Sequence, residues 1–230
     1  MIPKKLFTSY KPDLEKCKEC QSIVEKWRTL NEGFEVHYFS DEDVRIFFEN
    51  FKVAKETYET LNNGTAIADF FRISHIYKNG GIWFDFDMEP FQLSSKFDLK
   101  ELDCNENLFF DLGHKNISYM LISGKENSNL FLNAINFISK RVLSSAHLIK
   151  GKNIYPGLQV VGPHAFQNYI SKEFEVTAID GLFPADNKTH QSRNSLAFKY
   201  LTCYNLNKKT EKYLTISNTH KTKHWREYHI

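Results

Sequence analysis

The stretch Asn79-Gly80-Gly81-Ile82-Trp83-Phe84-Asp85-Phe86-Asp87 decides the fold. Asn79-Gly80-Gly81 stops a preceding helix as a left-handed cap does, because glycine enters positive φ without a Cβ penalty. Ile82-Trp83-Phe84 reads as a short buried strand, and it ends abruptly in Asp85-Phe86-Asp87. Along an extended chain Asp85 and Asp87 share a side while Phe86 turns back to the core. Two carboxylates so close repel, and one tends to keep a proton unless a cation stands between them. Mg²⁺ or Mn²⁺ prefers oxygen ligands, keeps waters and shares its shell with phosphates. The carboxyl end of a buried strand is also where open α/β sheets bind ligands. A bare D-x-D can equally be two solvated acids in a turn. Here the apolar strand and the two glycines ahead of it favour binding.

The helix before the strand runs over 66–78. Ala66, Phe70, Ile73 and Tyr77 form one apolar stripe, which Ile67 and Phe71 widen, so the helix is expected to be buried on more than one side. Asp69 and Arg72, three apart, share a helical face. They read either as a local surface pair or as a functional one, Arg72 meeting a phosphate and Asp69 sugar hydroxyls. Elsewhere strands are expected at 4–8, 34–39, 108–110, 117–122, 174–179 and 213–216, and helices at 13–30, 44–50, 53–61, 129–143 and 163–171. Ser40 ahead of Asp41, Glu42 and Asp43 is a helix start, and Asn62-Asn63-Gly64-Thr65 is a turn with a cap. Alternation of strands and helices through most of the chain predicts an α/β fold with a central, mainly parallel sheet flanked by helices.

With 230 residues, 41% of them hydrophobic, the chain can build a core without disulfide staples. Thirty Lys and Arg against 28 Asp and Glu give a net charge of +2, too balanced for a nucleic-acid sleeve. No apolar run reaches the roughly 18–20 residues that span a bilayer, and the opening residues hold no signal-peptide core. Four cysteines make no disulfide framework, and Cys17-Lys18-Glu19-Cys20 has no second pair at a zinc-site spacing. A cytoplasmic location is the expectation. The C-terminal segment is locally basic and holds His220, His224, Trp225 and His229 beside Lys221, Lys223 and Arg226, which can supply a further metal ligand or screen a diphosphate.

The run Ala68-Asp69-Phe70-Phe71-Arg72, followed by Tyr77 to Asp87, resembles glycosyltransferase family 32, the DXD sugar-binding enzymes that include the initiating α-1,6-mannosyltransferase, α-1,4-galactosyltransferase and capsular-polysaccharide transferases. The opening Ile2-Pro3-Lys4 with Thr8-Ser9-Tyr10 is similar to the family's start. The Gly162-Pro163 and Phe183-Pro184 pairs fall in family-like order. The resemblance implies a single domain over 1–230 of GT-A type, a Rossmann-like nucleotide-sugar-binding fold. It implies a UDP- or GDP-linked sugar donor, Mn²⁺ (or Mg²⁺), retention of anomeric configuration, and a glycan, lipid or protein acceptor. By the same resemblance Asp85 and Asp87 bind the metal, with Asp85 also at the donor, while Asp69 and Arg72 contact donor sugar and phosphate. Thr8, Ser9 and Tyr10 lie by the nucleotide. The closing segment, 205–230, folds over the donor with His220 at the metal and with His224 and Trp225 at the donor. His224 stands where the family has Ser and competes with His220 as ligand, and Phe7 replaces the family's early His.

The implied reaction moves a sugar to an acceptor hydroxyl, with Asp85, Asp87 and Arg72 as the catalytic groups and a cation neutralising the leaving diphosphate. Asp111 and Glu89 are the candidate nucleophiles, though nothing in the sequence places either at the sugar. A front-face route, with the departing phosphate helping to deprotonate the acceptor, needs neither. Two rival readings remain. One is a haloacid-dehalogenase-like phosphatase or phosphotransferase, which also carries D-x-D after an apolar strand. The other is a non-catalytic nucleotide-sugar-binding protein.

Overall fold

A computed structural model of the chain describes residues 1–95, 98–104, 106–111, 117–173, 189–190 and 201–205. The elements are, in order, β1 (Lys5–Ser9), α1 (Lys18–Leu30), β2 (Glu35–Phe39), α2 (Asp41–Asn50), α3 (Lys52–Thr60), α4 (Gly64–Asn79), β3 (Gly81–Phe84), α5 (Glu101–Cys104), β4 (Asn107–Asp111), β5 (Ile117–Gly124), α6 (Asn129–Ser144), α7 (Ala146–Ile149), α8 (Pro163–Glu173), β6 (Thr189–His190) and β7 (Leu201–Asn205). The strands form one seven-stranded sheet in the order β2-β1-β3-β5-β4-β7-β6. β1 pairs in parallel with β2 and β3, and β4 does so with β7. β5 enters antiparallel between β3 and β4, and β6 is antiparallel to β7.

Alternation along the strands sends neighbouring side chains to opposite faces. Phe7, Trp83, Phe109 and Ile122 join the larger core cluster, with Phe70 and Ile73 of α4, Ile135 of α6 and Phe166 of α8. Leu6, Ile82, Phe84, Leu108 and Leu121 join a second cluster, with Ile23, Val24 and Trp27 of α1. A sheet covered on both faces needs strands that are apolar on both faces, and all four residues of β3 are buried. This is the helix-flanked α/β architecture expected from the alternating pattern, but the sheet is mixed rather than mainly parallel, with three parallel and three antiparallel pairings.

The caps read from the sequence hold the helices that frame the site. The Ser40 hydroxyl accepts from Asp43 N–H at 3.3 Å, and the Asp43 carboxylate accepts from Ser40 N–H at 2.9 Å, closing a capping box at the start of α2. The Asn63 side-chain oxygen Oδ1 accepts from the N–H groups of Thr65 and Ala66 and opens α4. At the other end of α4, Gly80 and Gly81 have φ of 62° and 109°. A Cβ on Gly80 would stand 2.8 Å from both Pro3 Cδ and Glu126 N, and one on Gly81 would stand 2.8 Å from the Lys5 carbonyl oxygen. Only glycine allows both the turn and the close approach of the neighbouring chain.

Three features differ from the expectation. β6, β7 and the four-residue helices α5 and α7 were not expected from the sequence. The helix expected over 13–30 is a short 3₁₀ turn at Leu14–Lys16 followed by α1. Cys17 and Cys20, set aside above, are joined as a disulfide at the N-terminus of α1, where the Cys17 sulfur also accepts from Cys20 N–H. It is the one bridge among the described residues. The strands expected at 174–179 and 213–216 lie outside the described residues.

Candidate functional site

The site gathers at the carboxyl end of β3. The ladder to β5 runs one residue past the strand, with Asp85 N–H donating to the Met120 carbonyl at 2.8 Å. The chain then turns over 85–88, closed by Met88 N–H on the Asp85 carbonyl at 3.0 Å. Phe86 is buried in the Phe84 layer, stacked on Tyr10 (centroids 5.0 Å apart) and edge-on to Tyr38. Asp85 therefore faces the α4 side, with Trp83.

There it meets Arg72. Nη1 of Arg72 lies 3.0 Å from Asp85 Oδ1, and Nη2 lies 2.9 Å from Asp69 Oδ1. Nη1 also donates to the Tyr119 carbonyl, and Nε to the Ala68 carbonyl. The guanidinium carbon lies over the Trp83 ring at 4.8 Å and the Tyr119 ring at 4.6 Å from their centroids. Trp83 Nε1–H donates to Asp85 Oδ1 at 2.8 Å. Arg72 is thus buried against two rings with four of its five N–H groups on protein acceptors, an arrangement that suits guanidinium and not ammonium. A surface Asp69–Arg72 pair, one of the two readings above, is corrected: both side chains are less than a tenth exposed.

Asp69 has two further ties. The Tyr155 hydroxyl donates to its Oδ2 at 2.8 Å, and the Tyr119 hydroxyl donates to its main-chain carbonyl at 3.0 Å. Burial raises the Asp69 carboxyl to about 6, against the pull of Arg72 and of the Tyr155 hydrogen bond. Asp87 is open to solvent, yet the protein packed around its turn and then the Asp85 charge raise it to about 6 as well. Tyr10 is half-buried. Its ring stacks on Phe86, the neighbour of Asp87 in the chain, and its hydroxyl is raised by burial and then by Asp87.

Of the residues singled out in the sequence, Tyr10, Asp69, Arg72, Asp85 and Asp87 come together. Ser9 is half-buried at the same strand end, and Thr8 is fully buried with its hydroxyl unpartnered. Glu89 is exposed just beyond the turn. His220, Lys223, His224 and Trp225, with residues 206–230 of the closing segment, lie outside the described residues, as does the Asp111 side chain. Sequence reasoning missed Tyr119, Tyr155 and Gly162. Gly162 had been noted only in the Gly162-Pro163 pair. A Cβ there would stand 2.2 Å from the Tyr155 hydroxyl.

The donor chemistry fits a hard divalent cation. Asp85 Oδ1 is taken by Arg72 and Trp83, which leaves Oδ2. Asp87 is solvent-open and short of positive charge. No group of three or more His, Cys, Asp or Glu able to hold a metal occurs among the described residues. Two carboxylates with water and diphosphate oxygens completing the shell is a common arrangement for Mg²⁺. Among the described residues no helix is long and apolar enough to cross a membrane.

Comparison with known proteins agrees with this geometry. Residues 17–102 match the family model described as "Glycosyltransferase sugar-binding region containing DXD motif", a span that includes Asp69, Arg72, Asp85 and Asp87. The solved structure titled "PaToxG Glycosyltransferase" is similar at a TM-score of 0.52 and 11% identity, over 74% of this chain and 68% of that one. At that identity the likeness is one of fold, and it agrees with a GT-A-like architecture. No curated protein matches the chain. Together the D-x-D region and the shared fold support glycosyl transfer as the class of activity.

Proposed function

We propose that this chain is a metal-dependent, retaining glycosyltransferase of the family 32 kind. It moves a sugar from a UDP- or GDP-linked donor to a hydroxyl of a glycan, lipid or protein. The observation that carries this reading is the tip of β3: Asp85 anchored by Arg72 and Trp83, with solvent-open Asp87 and Tyr10 beside it, all but Tyr10 inside the matched D-x-D region. Asp85 Oδ2 and Asp87 would hold Mn²⁺ or Mg²⁺, which when bound offsets the charge a diphosphate gains as it leaves.

The remaining roles belong to the protein. Arg72 keeps Asp85 in place with four of its five N–H donors on protein acceptors, so in this conformation it acts on the donor chiefly through Asp85 rather than by gripping phosphate. Asp69, buried on the same guanidinium with Tyr155 on its other oxygen, would reach a sugar hydroxyl only through the remaining lone pairs of its carboxylate. Ser9 and Tyr10 border the nucleotide, with Thr8 buried behind them. By the resemblance, segment 205–230, with His220, His224 and Trp225, would close over the donor within a single domain and exclude water from the reacting carbon; residues 206–230 lie outside the described residues.

Thermal shift against a panel of UDP- and GDP-sugars, with and without Mn²⁺, tests the reading, because a donor that binds the folded chain stabilises it by mass action. One donor class should raise the midpoint in a Mn²⁺-dependent way, and Asp87→Asn should abolish both that shift and Mn²⁺-dependent donor hydrolysis. A panel without effect, or near-normal turnover by Asp87→Asn, overturns it. The anomeric configuration of the product, read by NMR, decides retention.

A further inference from the structure

We infer that Tyr155, from the irregular segment between α7 and α8, is a positioning residue of this site: it fixes Asp69 and, through the Asp69–Arg72–Asp85 chain, sets the first acid of the D-x-D. The chain of contacts is independent of any assigned activity. Its consequence for turnover rests on the glycosyltransferase reading.

Each link is direct. The buried Tyr155 hydroxyl donates to Asp69 Oδ2 at 2.8 Å, Asp69 Oδ1 receives Arg72 at 2.9 Å, and the same guanidinium reaches Asp85 at 3.0 Å. A buried carboxylate needs partners on both oxygens. Arg72 serves one, and Tyr155 is the described side chain on the other. Without it Asp69 is free to turn about its terminal torsion, and Arg72 loses the fixed anchor that opposes Asp85. The local backbone is built for this contact. Gly162 lies so close to the Tyr155 hydroxyl and to Asp69 Oδ2, 3.2 Å from where its Cβ would be, that any side chain there would displace one or the other. The segment is tied down on both sides of Tyr155. Asn63, the cap of α4, donates to the Asn153 side chain at 3.2 Å, and Arg141 of α6 donates to the Gln159 carbonyl at 2.7 Å. The segment that carries Tyr155 is therefore seated on the same helix that carries Asp69 and Arg72.

A double-mutant cycle on the full chain tests this. It uses Tyr155→Phe, which removes only the hydroxyl, with Asp69→Asn, and reads Mn²⁺-dependent hydrolysis of the donor that binds. Tyr155→Phe is expected to lower kcat about tenfold with KM changed less than about twofold, and to add less than about twofold on top of Asp69→Asn. Gly162→Ala, whose Cβ crowds the Tyr155 hydroxyl most, should lower kcat in the same sense as Tyr155→Phe. Kinetics of Tyr155→Phe within twofold of the parent, or a full tenfold loss repeated in the Asp69→Asn background, overturns the inference. If the parent hydrolyses no donor, the proposed function fails while this chain is still decided by urea unfolding. The double variant should then share the midpoint of Asp69→Asn, and strictly additive midpoint shifts overturn it.

Discussion

Arg72 Nη1 stands 3.0 Å from Asp85 Oδ1, so the helix leading into β3 reaches forward to hold the acid at that strand's far end. Removing the guanidinium leaves Asp69 buried without its cation and Asp85 held by Trp83 alone. Arg72→Met should cost about 3–5 kcal/mol of stability in urea unfolding, the range for breaking a buried pair from one side. Arg72→Lys should not restore it, because one ammonium cannot meet two carboxylates while keeping the contacts with Trp83 and Tyr119. Parent-like unfolding of Arg72→Lys would show that the sandwich does not matter.

Asp87 should make the metal-free protein prefer mild acid. Its folded carboxyl is raised from an ordinary 3.8 to about 6, so its contribution is fully present below 3.8 and is lost as pH rises through about 6. The parent minus Asp87→Asn difference in unfolding free energy should therefore fall between pH 4 and pH 7. Mn²⁺ at pH 7.5 should restore it, since a cation favours the ionised acid. A difference that is flat across that window contradicts the raised carboxyl.

His75 should act in the opposite sense. It is buried among Phe7, Phe39 and Phe71, and burial lowers it from 6.5 to about 3. Its stabilising contribution is present above 6.5 and is lost as pH falls towards 3. His75→Leu removes that loss, so the stability gap between parent and variant should shift in favour of the variant as pH drops from 7 to 4. Parallel profiles would mean that His75 takes a proton inside the fold.

Gly80→Ala should cost about 1–3 kcal/mol from the positive φ alone, before the contact with Pro3 is counted. If the turn sets where Asp85 emerges, the same variant should also weaken Mn²⁺-dependent donor binding. Unchanged stability and binding would mean that the turn relaxes freely.

Much of the site was legible because its signals are local. Gly80-Gly81, the Ile82-Trp83-Phe84 run, the Ser40 and Asn63 caps and the three-residue Asp69–Arg72 spacing each depend on neighbours in the chain. What was not legible depends on distance. Arg72 and Asp85 are 13 apart in sequence, and only the α4–β3 turn brings them together. Tyr119 and Tyr155 come from β5 and from an irregular segment without periodicity, so no pattern could assign them to Asp69. β7 was overlooked although Leu201-Thr202-Cys203-Tyr204 has the strand composition of β-branched and aromatic residues.

The tight α4–β3 turn also bears on the order of folding. Asp69, Arg72, Asp85 and Asp87 all fall within the stretch from Gly64 to Asp87, so its carboxylates and its guanidinium can meet while most of the chain is unformed. Contacts of short sequence separation close fast and at small entropic loss. Pulse-labelled hydrogen exchange should find α4 amides protected ahead of those near Tyr155, with the half-site born early and the tyrosine latch arriving last.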